Sequence, residues 1–295
     1  MKIFFAVCVI ALTLVSCEKD IDFKTNQTND VLVVDGIIED GKAPQIILTK
    51  SLNYFSAINA NIVANSFVHN AIITINDGNI TSKLKEVEVP LGIGYSLYYY
   101  TNDAATPATN IYGVQGKKYD LKIISNGAEY TSTTTIPFLT KKCDSLWWKP
   151  VPNNPDTSLA LLMGKFTDPP GLGNYIRYFT QINDGAFLPG EKSAFEDQVI
   201  DGTTYSIQIE QGIDRNNPVE DKDKGYFHRG DTVTLKFCNT DKATYTFWNT
   251  WEFAIQSIGN PFSTPNKVLG NISNGALGVF SGYSVDYKKL IIPKQ

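Results

Sequence analysis

Histidine is nearly missing from this chain, with two in 295 residues. General-base chemistry falls most often to histidine. Neither His69 nor His228 has a serine, cysteine or aspartate at a recognised catalytic spacing, and no nucleophile-elbow pattern occurs. Both are read as surface histidines. An excess of basic charge is also missing. The 26 Lys and Arg stand against 30 Asp and Glu, for a net charge of −4. Such a chain has no electrostatic footprint for nucleic acid, and it has no attraction to anionic lipid. No glycine-rich loop follows a strand and opens a helix, so a phosphate cradle is excluded. No internal repeat is present. Long hydrophobic runs are missing too. The apolar run over 3–15 is shorter than the ~20 residues that span a bilayer.

That short run is informative for what surrounds it. Lys2 precedes it, and Leu14-Val15-Ser16-Cys17 ends it. This is the layout of a bacterial lipoprotein signal, so 1–16 is expected to be removed on export. Cys17 is then the mature N-terminus and carries acyl chains. Several chains on one cysteine make a firm anchor in the lipid bilayer. Residues 17–29 are polar, with too little apolar surface to fold. Extended at ~3.3 Å each, they form a tether reaching ~40 Å.

The rest of the chain is long enough for two domains at about 100–200 residues each. Tyrosine and phenylalanine are plentiful, at 15 and 16, beside abundant Val, Ile and Thr. These residues suit pleated, half-buried surfaces, so a mainly β fold is expected. Strands are read at 31–34, 45–51, 71–75, from 80, at 94–100, 118–124 and 128–134. Asn126-Gly127 supplies the positive φ of a tight hairpin between the last two. Seven or so short strands suggest an immunoglobulin-like or transthyretin-like β-sandwich over 30–140. The apolar stretch between Leu52 and Asn70 is expected to add a strand or to cover the sandwich. A second β-rich domain over 141–295 has strands at 145–148, 159–166, 175–182, 205–209, 232–238, 277–280 and 283–291. Its one helix, 242–257, shows Tyr245, Trp248, Trp251, Glu252 and Ile255 at helical spacing. Thr240 or Asp241 can cap it.

Of the four cysteines, Cys8 leaves with the signal and Cys17 is acylated. An oxidising compartment permits a disulfide between Cys143 and Cys238. In the chain-entropy model such a bridge stabilises by ~4–5 kcal/mol. The alternative is two buried thiols too far apart to join. Neither has a His or Cys neighbour at zinc-ligand spacing. The oxygen-rich stretch with Asp214, Asn216, Glu220, Asp221 and Asp223 lacks the ligand spacing of a calcium hand. No metal and no cofactor are therefore expected. Ser82-Lys83-Leu84-Lys85 matches a serine–lysine pattern by letter but lacks companion motifs. Trp147, Trp148, Tyr98, Tyr99 and Tyr100 can stack on sugars, although aromatics in β proteins are more often core. Asp144-Ser145-Leu146 and Asp231-Thr232-Val233 resemble the short O-glycosylation pattern of Bacteroidota exported proteins.

A longer set of motifs runs along the chain in order. After the Cys17 lipobox come Leu32-Val33-Val34-Asp35-Gly36, then Tyr119-Asp120-Leu121 through Tyr130-Thr131-Ser132, then Asp144-Ser145-Leu146. Phe166-Thr167-Asp168-Pro169-Pro170-Gly171 follows with Asn174-Tyr175 and Arg177. Phe195-Glu196-Asp197 and Asp201-Gly202-Thr203-Thr204-Tyr205 come next. Gly230-Asp231-Thr232-Val233, Tyr245-Thr246-Phe247-Trp248, Asn260-Pro261-Phe262 and Gly275-Ala276-Leu277-Gly278-Val279-Phe280 complete it. Together they resemble a family of Bacteroidota outer-membrane lipoproteins described only as a domain of unknown function. The resemblance implies a gene often beside a TonB-dependent receptor, and it implies no catalytic residues. Glu18-Lys19-Asp20 looks like the charged segment that directs lipoproteins of this phylum to the cell surface. In the Asp168 turn the aspartate can accept backbone N–H groups and Pro169-Pro170-Gly171 fixes a bend. Arg177 is expected to pair with Asp168 or Glu196 as a brace between strands.

The expectation is a cell-surface lipoprotein of the outer membrane, not an enzyme, acting as the binding partner of a TonB-dependent receptor. The alternatives are a structural or adhesive surface lipoprotein, and a hydrolase with an unrecognised site.

Overall fold

The computed structural model describes residues 30–52, 59–92, 94–215, 225–260 and 266–294. Cys17 and the tether lie outside them. The fold is mainly β, with one large sheet, one smaller sheet and one long helix.

The first half supplies β1 (Leu32–Glu39), β2 (Gln45–Lys50), α1 (Ala60–Ser66), β3 (Ile72–Asn76), β4 (Thr81–Gly92), β5 (Tyr95–Asn102), β6 (Lys118–Ser125) and β7 (Ala128–Thr135). The second supplies β8 (Cys143–Pro150), β9 (Leu159–Thr167), β10 (Tyr175–Ile182), β11 (Leu188–Glu196), β12 (Thr204–Ile209), β13 (Phe227–His228), β14 (Thr232–Thr240), α2 (Lys242–Gln256) and β15 (Leu277–Ile291). The large sheet runs β11-β10-β14-β15-β1-β2-β5-β4-β3-β6-β7. In the smaller sheet, β9 pairs with β8, β12 and β13.

Strict alternation builds the first core. Val34 on β1 and Ile46 and Leu48 on β2 are buried with Ile73 and Ile75 on β3 and Leu121 and Ile123 on β6. Strand β4 turns from one layer into the other. Its Thr81 to Lys83 pair with β3 and its remainder with β5. At the β6–β7 hairpin Asn126 and Gly127 both have positive φ, 50° and 78°, as the tight turn demands.

Strand β15 joins the halves. It runs antiparallel to β14 and parallel to β1, with Val33 opposite Leu277 and Glu39 opposite Tyr283. Its Phe280 enters the first core, and Ile292 just beyond it enters the second. Gly278 makes the close approach feasible. It has φ +103°, and a Cβ there would lie 1.9 Å from the Val34 carbonyl oxygen. A charged pin sits nearby. Glu39 accepts from Lys236 of β14 and from the Tyr287 hydroxyl of β15. Burial pushes the Glu39 carboxyl up, but Lys236, Lys42 and Tyr287 together outweigh it and hold the group below its ordinary range.

Two features depart from the sequence expectation. β15 is one continuous strand, not two. β11 was not foreseen; as a sheet edge it tolerates Pro189. The expectation that 52–70 covers the sandwich is met in part: Val68 enters the first core, after the short helix α1, which is capped by the Asn59 side chain accepting from Ile62 N–H at 3.0 Å.

Candidate functional site

A recess lies where the smaller sheet overhangs the large one. Period-two alternation aims Tyr205, Ile207 and Ile209 of β12 to one side, and Phe166 of β9 joins them as a roof. Ile176 and Tyr178 of β10 and Leu235 and Phe237 of β14 form the floor. Phe195 of β11 and the turn residues Val199 and Ile200 close one flank. Its volume is about 750 Å³, within the range of small-molecule pockets. Phe166 stacks on Phe237, with centroids 4.7 Å apart, and on Tyr205 at 5.8 Å. Charged residues line it too: Lys141, Glu191, Lys192, Glu196 and Glu210.

Two turns hold this frame. The Asp168-Pro169-Pro170-Gly171 turn after β9 clasps the turn between β11 and β12. The Asp201 carboxylate accepts from Gly171 N–H at 2.7 Å. Asp197 accepts from Gly173 N–H and from both the backbone and side-chain N–H of Asn174. Burial pushes the Asp197 carboxyl up, but these donors outweigh it and keep the group below its ordinary range. Asp168 accepts from Gly202 N–H at 3.3 Å and from the Lys141 ammonium. Of the backbone N–H groups expected at Asp168, the structure places one, that of Gly202.

Lys141 is 1% exposed and lines the recess while pairing with Asp168. Its ammonium lies 5.2 Å from the Tyr205 ring centroid. Burial pushes the Tyr205 phenol up, with Lys141 pulling the other way. Asn239 of β14 fixes the lysine backbone, accepting from its N–H at 3.0 Å and donating to its carbonyl at 2.8 Å. Asp168, Asp197 and Asp201 bring carboxylate oxygens within 4.8 Å of one another. Three carboxylates are a donor set that suits a cation, and Lys141 supplies positive charge there.

Arg177 does not pair with Asp168 or Glu196. It sits opposite Cys238 and Ala194 in the sheet, while its neighbours Ile176 and Tyr178 face the second core. Alternation therefore turns Arg177 to the other face, under α2. Its guanidinium lies 3.3 Å from the Trp248 ring centroid and 4.6 Å from that of Phe179. It donates to the Ser193 and Tyr283 hydroxyls at 3.3 Å each. Ser193 in turn donates to the buried Glu252 of α2. The role of a brace stays, but it is a brace between sheet and helix.

Cys143 and Cys238 are both free, buried thiols, so the expected bridge is not formed. The cause is again alternation. Phe237 pairs with Asp286 on the second-core face, where Asp286 accepts from Cys143 N–H at 3.0 Å. Cys238 is the next residue and faces the opposite side.

The remaining candidates do not assemble. His69 pairs with Glu86 at an exposed position, and His228 is exposed on β13. Ser82 is buried while Lys83 and Lys85 point to solvent. Tyr100 is buried with its hydroxyl donating to the Val68 carbonyl, so Tyr98, Tyr99 and Tyr100 form no single platform. Trp148 lies under the Arg229 guanidinium at 4.4 Å. Asn216, Glu220, Asp221 and Asp223 lie outside the described residues. Sequence reasoning missed Lys141, Tyr205 and the roof of β12 as one site. The only signal was the period-two pattern of β12 itself.

No match to the chain was found among curated proteins. One family model covers residues 18–289, nearly the whole of the described frame, clasping turns and recess included. On that span the chain belongs to the family described as Domain of unknown function (DUF4249).

Proposed function

We propose that this protein is a lipid-anchored binding lipoprotein of the outer membrane, non-catalytic, working as the accessory partner of a TonB-dependent transporter. The observation that carries the binding role is the 750 Å³ recess between the sheets. Its walls are largely aromatic and branched aliphatic. Recesses of that make-up are the usual form of small-molecule sites. The clasped turns hold its flank in a fixed shape, and pre-formed sites avoid ordering costs on binding. The lipobox ending at Cys17 supports the anchor. Among the described residues no helix is long and apolar enough to cross a membrane. The transporter partnership rests on the motif resemblance.

Two measurements test the proposal. Cys17→Ala is expected to release the folded protein from the membrane fraction; sedimentation with membranes after a salt wash would refute the acyl anchor. Affinity purification of the wild-type lipoprotein from detergent-solubilised outer membranes is expected to recover a TonB-dependent transporter. Repeated recovery of the lipoprotein alone would remove the partnership.

A further inference from the structure

The roof of the recess ends in a sheet edge. In the smaller sheet β12 pairs with β9 alone, and its other side is open. Register tells which backbone groups line that open side. Asp168 N–H donates to the Thr203 carbonyl at 2.9 Å, directly across the β9–β12 ladder. Antiparallel pairs alternate between bonded and non-bonded, so the N–H and C=O groups of Tyr205, Ile207 and Ile209 face β9. Those of Thr204, Ser206 and Gln208 face outward. Among the described residues no turn or loop backbone bonds to them.

The other terminal strands are protected. Exposed edges are usually blunted by charge, proline, short length or cover. β11 carries Pro189, Glu191 and Lys192, and β8 carries Asp144, Lys149 and Pro150. β7 is covered: Thr131 N–H donates to the Ser273 hydroxyl, and its carbonyl accepts from Ser273 N–H. β13 has only two residues. β12 reads Thr-Tyr-Ser-Ile-Gln-Ile, with no proline and no charge. Beside it the recess leaves apolar side chains in water: Phe195 is 40%, Ile207 41% and Val199 93% exposed.

We propose that β12 is a docking edge for an extended peptide with apolar residues at alternate positions, which adds a strand to the smaller sheet and lays those residues over the recess. The inference rests on the recess being a binding site. An added strand meets the outward N–H and C=O groups with its own backbone, which gives affinity, while alternate side chains give selection. Those side chains fall on the face that Tyr205 and Ile207 share, where Phe195 and Val199 are left uncovered. The strand belongs to another protein, not to a second copy. A copy's β12 roofs its own recess, so its inward side chains are already engaged there.

The probe is a short peptide alternating valine with threonine, with a lysine at each end. It is titrated calorimetrically into the full chain carrying Cys17→Ala. Two isomers carry N-methyl groups, one on every valine and one on every threonine. A strand turns the N–H groups of one set toward β12 and those of the other set away. One isomer is therefore expected to bind within about threefold of the parent, and the other at least tenfold weaker. This comparison needs no variant. Ser206→Pro removes an outward N–H, and an edge strand tolerates proline at such a place. It should weaken the parent peptide at least tenfold while the thermal melt is kept. The small apolar probe 4-phenylbutanol needs no edge, so it should bind wild type and Ser206→Pro alike and be blocked by Ile207→Trp. Isomers that behave alike, full binding to folded Ser206→Pro, or no peptide binding overturns the docking edge. So does a dimer of the chain that Ser206→Pro splits, which would give the edge to a second copy. In each case the recess stands as a site if Ile207→Trp blocks the alcohol. No binding of either probe overturns both readings.

Discussion

Lys141 and Asp168 have side chains 2% and 0% exposed, and each is the other's charge partner. Breaking a buried pair from one side leaves an uncompensated charge, which costs ~3–5 kcal/mol. Asp168→Asn should therefore lower the urea midpoint by the equivalent of ~3 kcal/mol or more. Lys141→Met with Asp168→Leu should recover most of that loss, since apolar replacement of a whole pair is often neutral. A single variant costing under ~1 kcal/mol would show that water reaches the ammonium. The thiols give a second residue-scale prediction. Burial pushes Cys143 up to about 11 and Cys238 up to about 12. Thiolates are the reactive form, so iodoacetamide at pH 8 should leave both unmodified in the native protein and label both in denaturant. Rapid native labelling of either would contradict its burial. At this scale legibility in the sequence was uneven. The Asp168 bend was visible because Pro169-Pro170-Gly171 follows it. Its partner was not, because Lys141 lies between Thr140 and Lys142 and reads as a solvated linker. Arg177 was given the wrong partner because proximity in sequence says nothing of which sheet face a side chain takes.

Elements were read better where their period was strong. The helix expected over 242–257 is α2, Lys242–Gln256, because its apolar spacing and acidic cap agree. Asp241 accepts from Thr244 N–H at 2.8 Å, and its other oxygen accepts from the Thr134 hydroxyl and Thr135 N–H of β7. Loss of an N-cap alone costs ~1 kcal/mol. Asp241→Ala loses the tie to β7 as well, so about 2 kcal/mol is expected in urea unfolding, and Asp241→Asn should keep part of it. A cost equal to that of an exposed surface alanine would refute the tie. The turn between β3 and β4 is Asn76-Asp77-Gly78-Asn79, with Gly78 at positive φ. There the Asp77 carboxylate accepts from Lys117 and from the N–H groups of Asn79 and Ile80. The Lys117 bond first, then those amides, overcome burial and hold Asp77 at about 2, against an ordinary 3.8. A folded-state value below the unfolded one means stability that is complete above the unfolded value and lost as pH falls toward 2. Urea midpoints should drop between pH 4 and pH 2, and Asp77→Asn should flatten that limb. An unchanged slope in the variant would assign the acid loss elsewhere. β11 stayed illegible because Pro189 and its charged neighbours look like loop, and only the strand beside it makes it an edge.

At the scale of the whole molecule, what the sequence could not show is pairing between its two ends. Alternation tells which face of a strand is buried, but no local signal names its neighbour. The parallel β1–β15 ladder is of that kind, and it decides how the halves depend on each other. The two cores have separate memberships, yet the chain around β15 feeds both, with Ala276 and Phe280 in the first and Ile292 in the second. Glu39 of β1, held by Lys236 of β14, adds a charged tie across the same seam. A fragment of residues 30–140 would carry seven strands and most of the first core. It would lack Phe280, leave Glu39 without Lys236, and expose β1 as a long unpaired edge, which is a template for aggregation. The full chain is therefore expected to unfold in urea as one transition seen alike by tryptophan fluorescence and far-ultraviolet circular dichroism. The fragment is expected to melt without cooperativity and to self-associate. The two probes differ in what they see, since the four tryptophans all lie in the second half while strands fill both. Two separated transitions in the full chain, or a sharp melt of the monomeric fragment, would show that the first core stands without β15.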